Sequence, residues 1–430
     1  MGVTMNLKIA LISATAVGLL MSTGAAYAGG GDYTYLNQAG DGQIATVDQS
    51  TGYNDKVGTG TGGNSFYQND QVAGYGANKL YINQNSTGGV EGGWTGYIGT
   101  GTSYGNNTAT GHQSGYQNNA EIDQGGSNST VHLEQNGGHN GWVGPGVSGD
   151  PWFNSHYANV ILQDYTANHS HVTLTQNSDP GAAKGNFFSI GQGGYNNSIT
   201  ATQTGSNGGP DRSNDLWIRQ GTAAPDLWWS GFSAPSAVAD STITVTQTVG
   251  VDAVNYAALA QSGGGAGNTY DKITLTQMGG ANAADVSQIG AHNTFTGNQT
   301  TTATSAFNHI GGESDFPAAN GTEVNALAAA DLSLDWQHPV TQIGSYNSYS
   351  ITQNGSGLGA FGTQNGTGNI LSATQLGTLN DLFTNQTGDG NTIDSWQQDT
   401  SNLTVVAQIG SSNHSNTVQS GNANLATVNQ

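Results

Sequence analysis

The sequence predicts an all-β chain wound as a β-solenoid: stacked strand-turn-strand coils of about 22 residues, broken by irregular insertions. Three observations predict it. Glutamine returns at every eleventh residue through the last part of the chain, at Gln342, Gln353, Gln364, Gln375, Gln386, Gln397, Gln408, Gln419 and Gln430. In seven of those eight units glycine stands two places after the glutamine, as Gly344, Gly355, Gly366, Gly377, Gly388, Gly410 and Gly421. In seven of the eight asparagine stands five places after it, as Asn347, Asn369, Asn380, Asn391, Asn402, Asn413 and Asn424. The unit is Q-x-G-x-x-N-x-x-x-x-x-Q, and a fixed short period implies a stacked, quasi-one-dimensional architecture rather than a globule.

Each unit reads as one strand and one turn. Side chains alternate faces along a strand, so positions five, seven, nine and eleven share a side. That side carries Asn, then an apolar position (Tyr349, Ala360, Leu371, Leu382, Ile393), then a mixed one (Ile351, Ala373, Val406, Val428), then Gln. Position ten, on the other side, holds Thr352, Thr363 and Thr374, as suits a solvated β face. The residues between Gln and Asn are rich in Gly, Asp, Ser and Thr, and the glycine supplies the freedom a tight turn needs. Two units then close one flattened coil.

An amide turned inward without partners costs roughly 1–3 kcal/mol. Stacking removes that cost. Coils about 4.8 Å apart place like amides one above another, each donating to one neighbour and accepting from the other. The sixteen Gln and Asn of this array, from Gln342 and Asn347 to Asn424 and Gln430, are therefore the candidate ladder and assembly residues. A disordered Gln/Asn-rich tract would have the same composition, but disorder requires neither a strict spacing nor a period-two alternation.

Composition sets the class. The 430 residues include 67 glycines and no cysteine, only 8% are charged, and seven basic residues stand against 28 acidic ones for a net charge of −21. This is not the composition of an ordinary enzyme, and the charge argues against nucleic acid or anionic membrane as partners. The absence of cysteine is compatible with an oxidising exterior and excludes disulfides and thiolate metal sites. Residues 1–28 read as a secretory leader: Lys8, an apolar run over Ile9 to Leu20, and an A-x-A cleavage site at Ala26 and Ala28. The run is short for a membrane span, so a secreted product without membrane insertion is expected.

After the leader come a flexible glycine-rich start (29–37), irregular repeats (38–140), an insertion (141–158), repeats (159–205), a Pro/Trp-rich insertion (206–240), repeats (241–299), an insertion (300–341) and the strict array (342–430). The irregular part begins at Gln38 and continues with Gln71, Gly74, Asn78 and Gln84; the pattern returns at Gln113, Gly115, Asn118 and Gln124, and the next unit has its asparagine displaced to Asn128. Further strands end in the same glutamine at Val172 to Gln176, Ile199 to Gln203, Ile243 to Gln247 and Ile273 to Gln277. Ala326 to Leu332 has the composition of a brief helix. All eight prolines lie outside complete units, as ladder-forming strands require.

The tandem motif, set behind a leader and a glycine-rich start, resembles the curlin repeat of bacterial curli subunits. The best-matching units start at Gln113, Gln192, Gln277, Gln288, Gln342, Gln364, Gln375, Gln386, Gln408 and Gln419. The resemblance implies a secreted, extracellular functional amyloid of the cell surface, a fibre subunit serving biofilm matrix and cell adhesion. The partners it implies are other copies of the chain, a nucleator, an outer-membrane export pore and periplasmic chaperones. The chain departs from the pattern in its length, in its Pro and Trp-rich insertions and in units that run end to end without the usual serine start. Independently of the resemblance, a ladder of low charge ending on a ladder residue, Gln430, predicts head-to-tail growth, with Asp381, Asp389, Asp394 and Asp399 as gatekeepers against premature stacking.

Other motifs carry no chemistry. Gly101 to Gly105 fits G-x-S-x-G and Gly58 to Gly63 fits G-x-G-x-x-G, but neither has a helix to follow it, and so much glycine yields chance matches. His169 and His171 would share a strand face, yet a pair without a third ligand is no metal site. No catalytic residue, cofactor or metal is expected, and no enzyme. The alternative function is a soluble secreted solenoid that binds carbohydrate or ice. It would use the aromatics Trp217, Trp228 and Trp229 or a flat threonine face at Thr173/Thr175, Thr244/Thr246 and Thr274/Thr276. The simpler readings of those residues are packing of the insertion onto the solenoid and plain β propensity.

Overall fold

A computed structural model describes short strands between residues 33 and 98, then residues 106–116, 120–138, 140, 160–164, 166–178, 185–205, 214–221, 238–249, 255–263, 269–301, 308–311 and 340–430. Among the described residues there is no helix, and every strand pairing is parallel. The expected leader with Ala26 and Ala28, the two glycine motifs, Trp228, Trp229 and the short helix expected at Ala326 to Leu332 lie outside the described residues.

The chain alternates between two parallel sheets, as the eleven-residue unit predicts. Sheet 1 has thirteen strands: Ile44–Asp48, Lys79–Ser86, Thr108–Tyr116, Thr130–Gly138, His171–Ser178, Ser198–Gly205, Thr242–Thr248, Lys272–Gly279, Thr294–Thr301, Ser348–Ser356, Ile370–Thr378, Thr392–Gln397 and His414–Gln419. Sheet 2 faces it with Glu121–Gln124, Val160–Gln163, Phe187–Gln192, Asn214–Gln220, Asn255–Gly263, Asn282–Ala291, Gly359–Thr367, Asp381–Asp389, Leu403–Ile409 and Leu425–Asn429 among its strands. In the strict array, residues 22 apart are aligned, Gln353 with Gln375 and Gln364 with Gln386. Two units therefore make one coil, as expected.

Register, not sequence spacing, sets the boundaries of the irregular part, and several expected boundaries move. The stretch 206–240 is not wholly an insertion: Asn214–Gln220 is a full ladder strand between Phe187–Gln192 and Asn255–Gly263, and it carries Trp217. The stretch 300–341 hides a strand cut in two. Asn308–Ile310 pairs with the first half of Asn282–Ala291, and Val340–Ser345 with its second half, so residues 311–339 interrupt one unit between its two inward apolar positions. In the early repeats Gln68, not Gln71, is aligned with Gln38. In the unit ending at Gln135, Ser129 takes the inward position, while Asn128 sits in the turn with φ 52°. The His169/His171 pair does not share a strand face: His169 is a turn residue with φ 54° and packs on Tyr195, while His171 opens a strand.

The core is a file of inward apolar side chains at positions seven and nine of both sheets, including Leu133, Leu174, Ile199, Ile243, Leu275, Leu371, Leu382 and Ile393. Burial of one such side chain contributes about 1.5–3 kcal/mol, and each touches like residues in the layers above and below. Size is compensated within a layer. Phe295 and Tyr349 stack with ring centroids 5.8 Å apart, and Gly297, whose added Cβ would lie 2.9 Å from the Phe295 ring, leaves the space they fill.

Candidate assembly interface: the amide ladders

Two unbroken files of glutamine run through the stack from residue 124 onward. In sheet 1 the Nε2 of Gln135 donates to the Oε1 of Gln176, and the file continues through Gln203, Gln247, Gln277, Gln299, Gln353, Gln375, Gln397 and Gln419, at 2.7–3.0 Å throughout. In sheet 2 the file runs from Gln124 through Gln163, Gln192, Gln220, Gln261, Gln288, Gln342, Gln364, Gln386 and Gln408 to Gln430, at 2.8–3.1 Å. Every bond points the same way, from a layer to the next one along the chain. Most of these Nε2 groups also reach main-chain carbonyls near the start of the facing strand. Gln375 donates to the carbonyls of Gly359 and Asn380 at 2.8 and 2.9 Å, and so ties the two sheets together at the corner of the coil.

The inward residue at position five forms a second file. Its side-chain oxygen accepts the main-chain N–H of its counterpart one layer on: Asn369 N–H to Asn347 Oδ1 at 3.1 Å, Asn391 to Asn369 at 3.1 Å, Asn413 to Asn391 at 3.0 Å and Asn402 to Asn380 at 2.9 Å. The Nδ2 groups of Asn347, Asn369 and Asn391 donate to the carbonyls of Gly366, Gly388 and Gly410 in the next turn at 2.8–3.0 Å. Only an oxygen is needed for the first bond, which explains why Ser129, Ser170, Ser241 and Asp271 hold the place in the irregular part. Leu358 breaks this file once in sheet 2.

Asp271 is the one acid in that file. Its Oδ1 accepts the Asn293 N–H at 2.8 Å, while its Oδ2 is buried without a partner. Burial raises its pKa from 3.8 to about 7, opposed by the main-chain and side-chain hydrogen bonds with Asn293.

All sixteen predicted ladder residues lie in these files. Those from Gln342 to Gln408 are buried, and Asn413, Asn424 and Gln430 belong to the last coil and are more exposed. All seven predicted turn glycines have positive φ, between 98° and 153°. Their lack of a side chain has a second cause. A Cβ on Gly344, Gly355, Gly366, Gly377 or Gly388 would lie 1.8–2.1 Å from a main-chain carbonyl of the next layer. Position four of the turn is a further left-handed site: Asn106, Asn128, His169, Asn196, Asp240, Tyr270, His292, Tyr346, Gly368, Gly390 and Ser412 all have φ between 48° and 68°. No single residue type marks it, so the spacing of glycine and asparagine did not show it. Ladder members Gln163, Gln220 and Gln261 were missed too, although Asn214-x-Leu216-x-Ile218-x-Gln220 and Asn255-x-Ala257-x-Leu259-x-Gln261 repeat the inward pattern from Asn to Gln.

The proposed gatekeeper aspartates do not form a charged stack. Asp381 lies between Gly359 and Leu403, and Asp394 between Ser372 and Asn416. Asp389 accepts the Thr367 N–H at 3.0 Å and Asp399 the Gly421 N–H at 2.8 Å, so these two serve the turns. No family model matches this chain, and no match to a curated protein was found.

Proposed function

We propose that the chain is a secreted structural subunit that polymerises end to end through its coil faces, as the resemblance to curlin repeats implies. The observation that carries this reading is the common direction of both glutamine files. A layer that donates on one face and accepts on the other is complementary to every copy of itself, so a stack of such layers is extended by another stack without a change of chemistry. Each interior glutamine amide donates to the layer after it and accepts from the layer before it, and an added copy would continue the same pattern. Such a fibre serves surface adhesion and matrix building. A nucleator, an outer-membrane pore and periplasmic chaperones are the partners that fit an exported chain of this kind.

The test is assembly of the purified chain without its leader, followed by thioflavin fluorescence and fibre diffraction. A cross-β pattern with a meridional spacing of about 4.8 Å is expected. Gln375→Ala combined with Asn380→Ala removes one rung and leaves neighbouring carbonyls and amides unpaired at roughly 1–3 kcal/mol each. It is expected to slow growth far more than Thr374→Ala, which alters only the outer face. A persistent monomer, or equal lag times for the two variants, would overturn the proposal.

A further inference from the structure

The outer face of sheet 1 carries an array that the strand register assembles. In the consecutive strands His171–Ser178, Ser198–Gly205, Thr242–Thr248 and Lys272–Gly279, Thr173, Thr200, Thr244 and Thr274 are aligned in one column. Two residues on, Thr175, Thr202, Thr246 and Thr276 form a second. Sequence spacing alone hides the regularity, because connections of unequal length separate these strands. Layers about 4.8 Å apart and a strand repeat of about 6.6 Å set the hydroxyls on a nearly rectangular net.

Bare β propensity does not account for it. The same four coils turn their other outer face through sheet 2, where the corresponding column reads Ser189, Trp217, Ala258 and Asp285, with no threonine. That face is closed: Ser189, Ala258 and Asp285 are at most 6% exposed. The threonine face is open, with Thr200 and Thr244 exposed at its centre. Within these four strands its outward positions include no acidic side chain and no Phe, Tyr or Trp, in a chain whose net charge is −21; Lys272 stands at one end of the face, and Glu134 of the adjoining strand is aligned with Thr175. The interruption at residues 311–339 falls in sheet 2, and the described strands of sheet 1 run unbroken.

From this geometry we infer that the threonine face of sheet 1 binds the surface of ice. Ice presents an uncharged, regular lattice of oxygens, to which an uncharged net of hydroxyls at fixed spacing is a chemically suitable counterpart. Threonine suits it doubly, since the hydroxyl joins the lattice and the methyl sits over its hollows, with the χ1 stiffness of a β-branched residue keeping the net in register. An ordered polysaccharide would instead call for flat aromatic platforms, which these columns lack.

The inference is independent of polymerisation and its test keeps the two apart. Melting and freezing points of single ice crystals are measured in solutions of the full chain, with Thr200→Lys/Thr244→Lys as the variant and circular dichroism to verify strand content. Thr200→Val/Thr244→Val keeps the shape if the lysine pair disturbs the fold. The expected result is faceted crystals and a gap between the two temperatures, lost in the lysine variant and reduced in the valine one, with unchanged thioflavin-positive growth in both. Overturning results are ice growth identical to that in serum albumin, a gap unaffected by either variant, retention on crystalline cellulose or chitin but not on ice, or face-to-face pairing of copies through these threonines.

Discussion

Asp271 shows how far one atom matters in a stack of like layers. It differs from its ladder neighbours only in carrying a carboxyl in place of an amide or hydroxyl, and it is buried with one oxygen unpartnered. Its pKa of about 7 in the fold lies above the unfolded value of about 3.9, so the folded chain holds the proton to higher pH. The contribution of Asp271 to stability is therefore greatest below about pH 4, falls as pH rises toward 7 and stays at the lower level above it. Asp271→Asn is expected to flatten that fall and to raise stability at pH 8 by on the order of 3 kcal/mol, read from denaturant melts across pH. Turn glycines give a second test at this scale. Gly366→Ala would place a Cβ 2.0 Å from the Gly388 carbonyl, and a loss of about 3 kcal/mol or more is expected. At Gly421 the nearest atom to an added Cβ is the Asn424 Nδ2 at 3.7 Å, so Gly421→Ala should cost only the φ term, about 1 kcal/mol. If copies stack on this layer, that variant nevertheless stalls fibre growth, because the next carbonyl then arrives. Equal melting temperatures for the two glycine variants would contradict the close approach of layers.

At the level of the element, the coil is the unit that can be removed. Deleting residues 365–386 joins Gln364 to Thr387 and leaves both glutamine files in phase, so the shortened chain is expected to keep its strand signal per residue and a cooperative melt. Deleting Ser372 alone turns every later side chain of its strand to the opposite face, exposing Ala373 and burying Thr374. Loss of hydrogen-exchange protection around that strand is the expected result, and equal protection in both deletions would show that register is not what holds the layer. Ladder strands were legible wherever the whole word from Asn to Gln survives close to its neighbours, as in Ile370–Thr378. They were illegible at Asn308–Ile310 and Val340–Ser345, where residues 311–339 part the word and only pairing with Asn282–Ala291 restores it.

For the whole molecule, charge opposes the end-to-end stacking of copies proposed above. Copies carrying −21 repel one another over a Debye length of about 30 Å at 0.01 M salt and about 8 Å at 0.15 M. The lag before fibre growth is expected to shorten as sodium chloride is raised through that range, while the melting temperature of the unassembled chain moves little. A lag that lengthens with salt would mean that attraction between charged patches drives assembly. The aspartates at 381, 389, 394 and 399 contribute to this general repulsion and do not act as a stacked column, since each lies in a different file.

Periodicity by itself determined the unit, its inward amides, its glycine turns and the two-unit coil, because side-chain alternation and the need to pair buried amides are local constraints written at fixed spacing. The tertiary structure alone decided which distant strands are neighbours. Layers separated by loops of unequal length find one another through main-chain hydrogen bonds and shared burial, and these depend on position in space rather than on distance along the chain. That is why the split strand and the ladder place of Asp271 came into view only with the strands in register, and why the threonine pairs visible in the sequence could be set into columns only then.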